Sequence, residues 1–522
     1  MSTPSLHSSE QDTKEKGQIS QNEYYEEKAV AAVSAEEEKR IVRKIDYKLV
    51  PFLSLLYLLS FLDRVNIGQA KLDGLEKDLN LKGNEYNIAL VLFFVGYVIT
   101  EAPSNVLIKR LRPSIYIPCL MVAWGIVMTL MGIVHNFAGL AAARFFLGLA
   151  ESGLFPGICL YLTLWYKRSE TNLRIAIFFS SATLAGAFGG LLAYGLGQMH
   201  GVGGKAGWSW IFIIEGLLTF VVALAAPYLM SDFPEESKFL TPEEKVFVVA
   251  RLKKDQGASG EAAFSWVHLK SAVTDYRVWI YMFIYIGVAE PLYSLSLFVP
   301  TILASLGKWE RWQAQLLSTP PYFLAFFITL ASAFYSDKKQ QRGLFNVFWM
   351  SIVVIGYAIL LGVDPVKSPG VAYFSLFLCV GGVAPSIACT ISWLGANVGP
   401  SYKRALGSGM MFTLGNSGGI ISSLVYFAVD KPRYLRGHAV GLGFAAMAVI
   451  LSLVLHLDLK RDNARRDALY GKPETYEDGG DIDVTTRSQT DPELQKRLGL
   501  VGMSPKEIEA LGDRHPLFRY YV

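Results

Sequence analysis

Cysteine is scarce: Cys119, Cys159, Cys379 and Cys389 are the only four in 522 residues, and each falls in an apolar run. None forms a CxxC pair or a Cys/His spacing, so neither a disulfide framework nor a metal site is expected. Charge is sparse too. Asp, Glu, Lys and Arg make up 18% of residues, and the net charge of +4 is too small to imply a nucleic-acid partner. No Walker A loop, nucleotide-binding domain or catalytic triad is visible. The chain is therefore expected to be neither an enzyme nor ATP-driven, and to need no cofactor. Up to Arg43 the sequence is polar and acidic, without the apolar centre of a signal peptide. The first apolar span is then expected to target the chain to a membrane.

What is abundant is apolar sequence. Hydrophobic residues make up 52% of the chain, in repeated runs of about 18 or more, each long enough to cross a bilayer. The runs read as twelve helices, at 49–68, 88–108, 115–134, 138–163, 175–198, 209–230, 278–303, 314–335, 344–363, 371–396, 405–428 and 438–457. The expected fold is an all-α integral membrane protein of two six-helix halves. Its parts are a polar tail 1–47, a first half 48–230, a linker 231–276, a second half 277–458 and a tail 459–522. In the linker, Thr241-Pro242-Glu243-Glu244 is a capping-box signal ahead of a short helix reaching Leu252. Pro156-Gly157 is expected to bend span four.

Orientation follows from Lys and Arg in the short loops. With both termini inside, the inner loops hold Lys109, Arg110, Arg112, Lys167, Arg168, Arg174, Lys338, Lys339, Arg342, Lys403 and Arg404. The outer loops hold none between spans three and four, only Lys205 between five and six, Lys308 and Arg311 between seven and eight and Lys367 between nine and ten. The first (Lys71, Lys77, Lys82) and the last (Lys431, Arg433, Arg436) are basic exceptions; the strongly charged linker and the 459–522 tail favour the inside. Both termini are expected to be cytoplasmic.

Charges within the spans are the sharpest signal. A charge in the bilayer costs at least about 2.5–3.5 kcal/mol and is rarely kept without a function. Arg64 lies near the end of span one and Arg144 near the start of span four. At 1.5 Å rise per residue both come roughly 6–10 Å below the outer surface, where they could face one cavity. Glu151, seven residues after Arg144, lies two turns deeper on the same face. A carboxylate at that depth is a natural proton carrier. Its bland alternative is a permanent ion pair. Asp63 adjoins Arg64 and is either a local partner or a proton carrier. Glu290, mid-span before Pro291, is a further proton-coupling candidate. Glu101, before Pro103, reads as gating or structural, and Glu215 as structural. Tyr57, Phe61, Phe94, Tyr97, Tyr285, Tyr293, Tyr322 and Trp393 are candidates to stack a planar ring, with packing as the alternative; Asn397 and Asn416 either bond a ligand or hold helices together.

The motifs FLDRVNIGQA, EAPSNVLIKR, ARFFLGLAESGLFPG, WIFIIEGLLT, SDKKQQRG, SWLGANVGPSYKRALG and LGNSGGI resemble those of the anion:cation symporter family within the major facilitator superfamily. The likeness is strongest to its fungal nicotinate, allantoate and pantothenate permease branch, and covers about 45–460. SDKKQQRG is similar to the superfamily's inner-loop motif, which implies gating roles for Asp337, Lys338 and Arg342. The corresponding loop of the first half, KRLRPS, lacks the Asp and the glycines. The relationship extends to animal organic-anion transporters, whose functional Arg, Arg and Glu match Arg64, Arg144 and Glu151. The span-two His of their glutamate branch would align at Leu90, which speaks against a dicarboxylate amino acid.

The resemblance implies a secondary transporter at the plasma membrane of a fungus-like cell. It would import a small organic anion with a proton, as a monomer in the bilayer. Arg64, Arg144, Tyr57, Tyr97, Tyr285, Trp393 and Asn397 would contact substrate, and Glu151, Glu290 and Asp63 would carry protons. A nicotinate-like monocarboxylate is favoured. Allantoate-like ureides, pantothenate, sugar acids, an exporter on the same fold and a non-transporting sensor stay open.

Overall fold

A backbone crossing lipid must satisfy its own N–H and C=O groups, and helices do so within one segment. The computed structural model describes residues 33–108, 111–256, 266–307, 309–339, 341–472, 488, 491–504, 507–508 and 511–522. Among them every long apolar run is helical. Spans one to six are Ala35–Leu72, Glu85–Ile108, Pro113–Met131, the pair Phe137–Glu151 and Leu154–Thr163, Arg168–Gly197 and Gly207–Leu229. Spans seven to twelve are Tyr276–Ser305, Arg311–Lys339, Gly343–Gly362, Pro369–Asn397, Ser401–Ser423 and Leu435–Tyr470. Exposed apolar side chains such as Ile99, Phe146, Val221, Phe348 and Ile450 lie on the outside of the bundle, where lipid would be their solvent.

The ends of several spans differ from expectation. Span one starts at Ala35, well before the apolar run, because Ser34 caps it: its hydroxyl accepts from Glu37 N at 3.2 Å, and Glu36, Glu37 and Glu38 fill the first turn. Acidic side chains there suit the positive end of the helix dipole. Span twelve runs on to Tyr470 as a charged helix with an Asp462–Arg466 pair at 3.3 Å. Span four breaks between Glu151 and Leu154, just ahead of Pro156. The proline ring crowds the carbonyl four residues back, at Ser152. In the linker, Thr241 N donates to Glu244 and Glu244 N to the Thr241 hydroxyl, the reciprocal cap of the helix Pro242–Gln256. Ten of the helices are long and apolar enough to cross a membrane on composition alone. Span eleven, rich in Gly and Ser, misses that measure.

Alternation of the spans puts both described ends and the linker on one face of the bundle, here the linker face. At the opposite face the halves are joined closely. Asn87 donates to Ser423 O at 2.6 Å, Thr319 to Ala187 O at 2.9 Å and Arg311 to Leu72 O at 3.0 Å. Gly68 makes the span one–span seven contact possible: a Cβ there would sit 2.5 Å from Leu297 O. Toward the linker face a groove runs between the halves, with Leu173 and Ala176 on one wall and Ser336, Cys389 and Ser392 on the other.

Two further segments lie against the linker face. The linker helix binds the first half through Arg251, almost fully buried, which pairs with Glu170 at 3.0 Å and Glu38 at 3.3 Å. Residues 511–522 bind the second half. Lys403 meets Asp275 at 2.6 Å and Asp513 at 2.7 Å, and Arg466 donates to the carbonyls of His515 and Phe518.

Among the residues weighed from sequence, Lys109, Arg110, Lys308 and the first 32 lie outside the described residues, as do the side chains of Asp337 and Arg168.

Candidate functional site

Arg64 is the hub of a buried polar cluster that reaches both halves. Its guanidinium pairs with Glu151, with Nη2 at 2.6 Å and Nε at 3.1 Å from Oε1, and the hydroxyl of Ser60 donates to the same oxygen at 2.5 Å. Arg64 and Ser60 are four residues apart on span one, one helical turn, so both reach one carboxylate of span four. Aromatic rings enclose the cation: Tyr97 lies 4.9 Å, Phe93 5.5 Å and Phe61 5.8 Å from Cζ. Such contacts favour a positive charge held away from water.

Arg144 lies close by, with Cζ 4.7 Å from the centre of the Phe93 ring. It is fully buried, and among the described residues none of its Nε, Nη1 and Nη2 atoms has a hydrogen-bond partner. Spans two and four can bring it there because Gly96 and Gly148 let their backbones touch; a Cβ at Gly96 would lie 2.5 Å from Phe145 O. The site thus holds two guanidinium groups against one paired carboxylate, a formal excess of one positive charge.

Below Arg64 the walls are aromatic. Tyr57 packs on Phe178 at 4.5 Å and Phe155 at 5.4 Å, and Phe412 bridges Phe155 at 5.1 Å to Tyr285 at 5.7 Å. Beside Phe61 lies a small, mostly apolar cavity lined also by Phe179, Thr183, Ser296, Tyr322 and Val383. The hydroxyls of Ser296 and Tyr322 are buried close to each other, and among the described residues neither meets a third hydrogen-bonding group. Ser60 and Ser296 were not singled out from sequence. A serine one turn from Arg64 was the available signal for the first; serine is too common in membrane helices to mark the second.

Other sequence candidates are placed elsewhere. Asp63 does not pair with Arg64. Its Oδ2 accepts from Trp124 at 3.1 Å and Thr219 at 3.0 Å, so it ties spans three and six to span one. Glu215 likewise accepts from Asn66. Glu290 accepts from Ser294 at 2.6 Å within the second half and is not brought to the arginines. Trp393 and Asn397 correct the sequence reading most clearly. Both point to the linker face, where Trp393 Nε1 donates to Tyr521 O at 2.8 Å. Asn397 bonds Tyr521 both ways, at 2.8 and 2.7 Å. They lie in the last turns of span ten, below the depth of Arg64. Arg342 is buried beside them, donating to Ser392 O and lying 5.6 Å from the Tyr521 ring, while Lys338 is exposed. Glu101 reaches this cluster, where Asn416 donates to it at 3.0 Å.

The sequence profile of the Major Facilitator Superfamily matches residues 53–423. An uncharacterised transporter of Schizosaccharomyces pombe is 37% identical over 435 residues, 82% of this chain and 85% of that one. The MFS-type transporter cnsO of Penicillium expansum is 34% identical over 495 residues, 93% and 90% of the two chains. The high-affinity nicotinic acid transporter of Saccharomyces cerevisiae is 32% identical over 447 residues, 84% and 83%. Among solved structures, a bacterial homologue of the human lysosomal transporter Spinster, inward-facing and unoccupied, superposes with a TM-score of 0.58 at 16% identity. It covers 78% of this chain and 95% of that one.

Proposed function

We propose, for a chain that belongs to the Major Facilitator Superfamily and is a multi-pass membrane transporter, that it imports a small organic monocarboxylate together with a proton. The favoured cargo is nicotinate-like, the membrane is the plasma membrane, and both termini are cytoplasmic. One observation carries this reading. Arg144 is a buried cation with no hydrogen-bond partner for its guanidinium. Leaving a buried charge unpaired costs several kcal/mol, so the site is built for an anion that arrives from elsewhere.

The mechanism follows from the charges. With the site empty, Glu151 neutralises Arg64. A proton on Glu151 weakens that pair and frees Arg64. The substrate carboxylate then bridges Arg64 and Arg144 with charge-assisted hydrogen bonds. Phe93 contacts both cations and holds them in one neighbourhood. The uncharged part of the cargo lies against Phe61, toward the cavity where the Ser296 and Tyr322 hydroxyls could receive a ring nitrogen. Cargo and proton together leave the site with the same formal charge, one positive, that it carries when empty. The nicotinic acid transporter of Saccharomyces cerevisiae, at 32% identity, supports the choice of cargo.

The test is uptake of labelled nicotinate by cells lacking their own carboxylate permeases, in acidic and neutral medium, with and without a protonophore. Uptake that is faster in acid and abolished by the protonophore is expected. Surface-expressed protein that accumulates no nicotinate under either condition would remove this cargo.

A further inference from the structure

A line of hydrogen bonds leaves Arg64 on the side away from Glu151. Arg64 Nη1 donates to the Tyr293 hydroxyl at 3.4 Å, Tyr293 donates to Asn416 Oδ1 at 2.6 Å, and Asn416 Nδ2 donates to Glu101 Oε1 at 3.0 Å. Every donor points from Arg64 toward Glu101. The line starts on span one, crosses to spans seven and eleven of the second half, and returns to span two. All four side chains are buried, and the Oε2 atom of Glu101 has no partner. It is a buried tie between the halves, on the linker-face side of the sealed contacts at Asn87 and Arg311.

We propose that Tyr293, Asn416 and Glu101 are positioning residues that hold the two halves together while Arg64 is free of cargo, and release them when it is occupied. The proposal rests on Arg64 being a substrate cation. Its weakest link is the first, at 3.4 Å, near the limit of a useful hydrogen bond. A carboxylate on Arg64 offers the Tyr293 phenol a charged acceptor in place of the neutral amide oxygen of Asn416. Bonds to a charged acceptor are about twice as strong. The phenol turns to the cargo, Asn416 loses the bond that orients its amide, and its grip on Glu101 goes with it. Spans two and eleven are then free to part toward the linker face. Tyr293 is held by packing as well, with Phe94 at 4.9 Å, so losing its hydroxyl leaves the ring in place.

The chain carries its own reporter. Cys389 is buried on the wall of the linker-face groove. Its alkylation by N-ethylmaleimide, mapped by mass spectrometry in the full-length protein, measures opening without any transport assay. Without cargo, Tyr293→Phe and Asn416→Leu are expected to speed labelling of Cys389 roughly three- to tenfold, the population shift expected from one lost hydrogen bond. Glu101→Leu should do the same. Glu101→Gln should label at a rate between the native and the Glu101→Leu rates, because an amide oxygen accepts the same bond but without the charge. A structural role would not separate Gln from Leu in this way. Native labelling rates in Tyr293→Phe and Asn416→Leu would overturn the proposal, as would Glu101→Gln labelling as fast as Glu101→Leu. Nicotinate should speed labelling of the native protein and leave the Tyr293→Phe rate unchanged. If the variants behave as expected but nicotinate changes nothing, the tie stands and the choice of cargo falls.

Discussion

The two halves share an architecture and divide the chemistry. The first brings buried charge: Arg64 and Glu151 paired, Arg144 unpaired, Asp63 and Glu215 held by side chains of their own half. The second brings neutral groups: the phenols of Tyr293 and Tyr322, the amide of Asn416 and the hydroxyl of Ser296. Its one mid-span acid, Glu290, is bonded within its own half. In the proposed mechanism one half supplies binding energy and the other supplies orientation. Such a division suits a machine that must bind cargo and then let the halves move past each other, because strong ion pairs across the moving interface would resist motion.

Arg144→Met is the largest expected break in this comparison. It should abolish uptake. It should also stabilise the empty protein, by about 2 kcal/mol, since an apolar side chain replaces an unpaired buried charge. Loss of uptake with lower thermal stability would mean that Arg144 serves the fold. Glu151→Gln comes next. Exchange of labelled for unlabelled cargo should survive, while acid-driven accumulation should fall roughly tenfold, the loss of a proton carrier in place. Glu290→Gln should leave both within about twofold, and a full loss there would put proton coupling in the second half.

Smaller effects separate the linker faces. Arg251 and Arg466 each tie an added segment to one half. Arg251→Ala removes a buried cation from Glu170 and from Glu38, which keeps Lys167 at 2.6 Å, and should cost about 2 kcal/mol of thermal stability. Arg466→Ala breaks bonds to carbonyls that can turn to water and should cost about 1 kcal/mol. Equal losses would show that the two attachments are alike. The smallest effect is pH dependence of the tail. Burial holds Asp513 above the ordinary carboxylate range, even with Lys403 beside it. A carboxyl raised on docking binds its proton more readily when docked. Docking is therefore firmest below the ordinary carboxylate value and weakens as pH rises through the raised one. The hydrogen-exchange protection factor of the Tyr521 amide, which donates to Asn397, should fall over that interval.

Much of this was legible in the sequence. Twelve helices followed from run length alone, because lipid leaves the backbone few alternatives. Arg64, Arg144 and Glu151 announced themselves by charge, and the structure pairs Arg64 with Glu151 and sets both arginines against one ring, Phe93. Thr241 announced its cap. The extension of span one was also legible in Ser34 and the acids after it, but apolar run length does not register a charged helix. Trp393 and Asn397 misled for a different reason. Their partner is the backbone of Tyr521, which leaves no mark in side-chain chemistry, so residues that hold the tail looked like residues that hold a ring. The line from Tyr293 through Asn416 to Glu101 joins four spans, and no single-segment pattern contains it.

The central claim is that Arg144 waits for the charge of the cargo. Thermal shift of the purified full-length protein tests it most directly, because a ligand bound only to the folded state raises its stability. Nicotinate should stabilise the native protein, the neutral nicotinamide should not, and Arg144→Met should respond to neither. Equal stabilisation by nicotinamide, or full nicotinate stabilisation of Arg144→Met, would contradict the account.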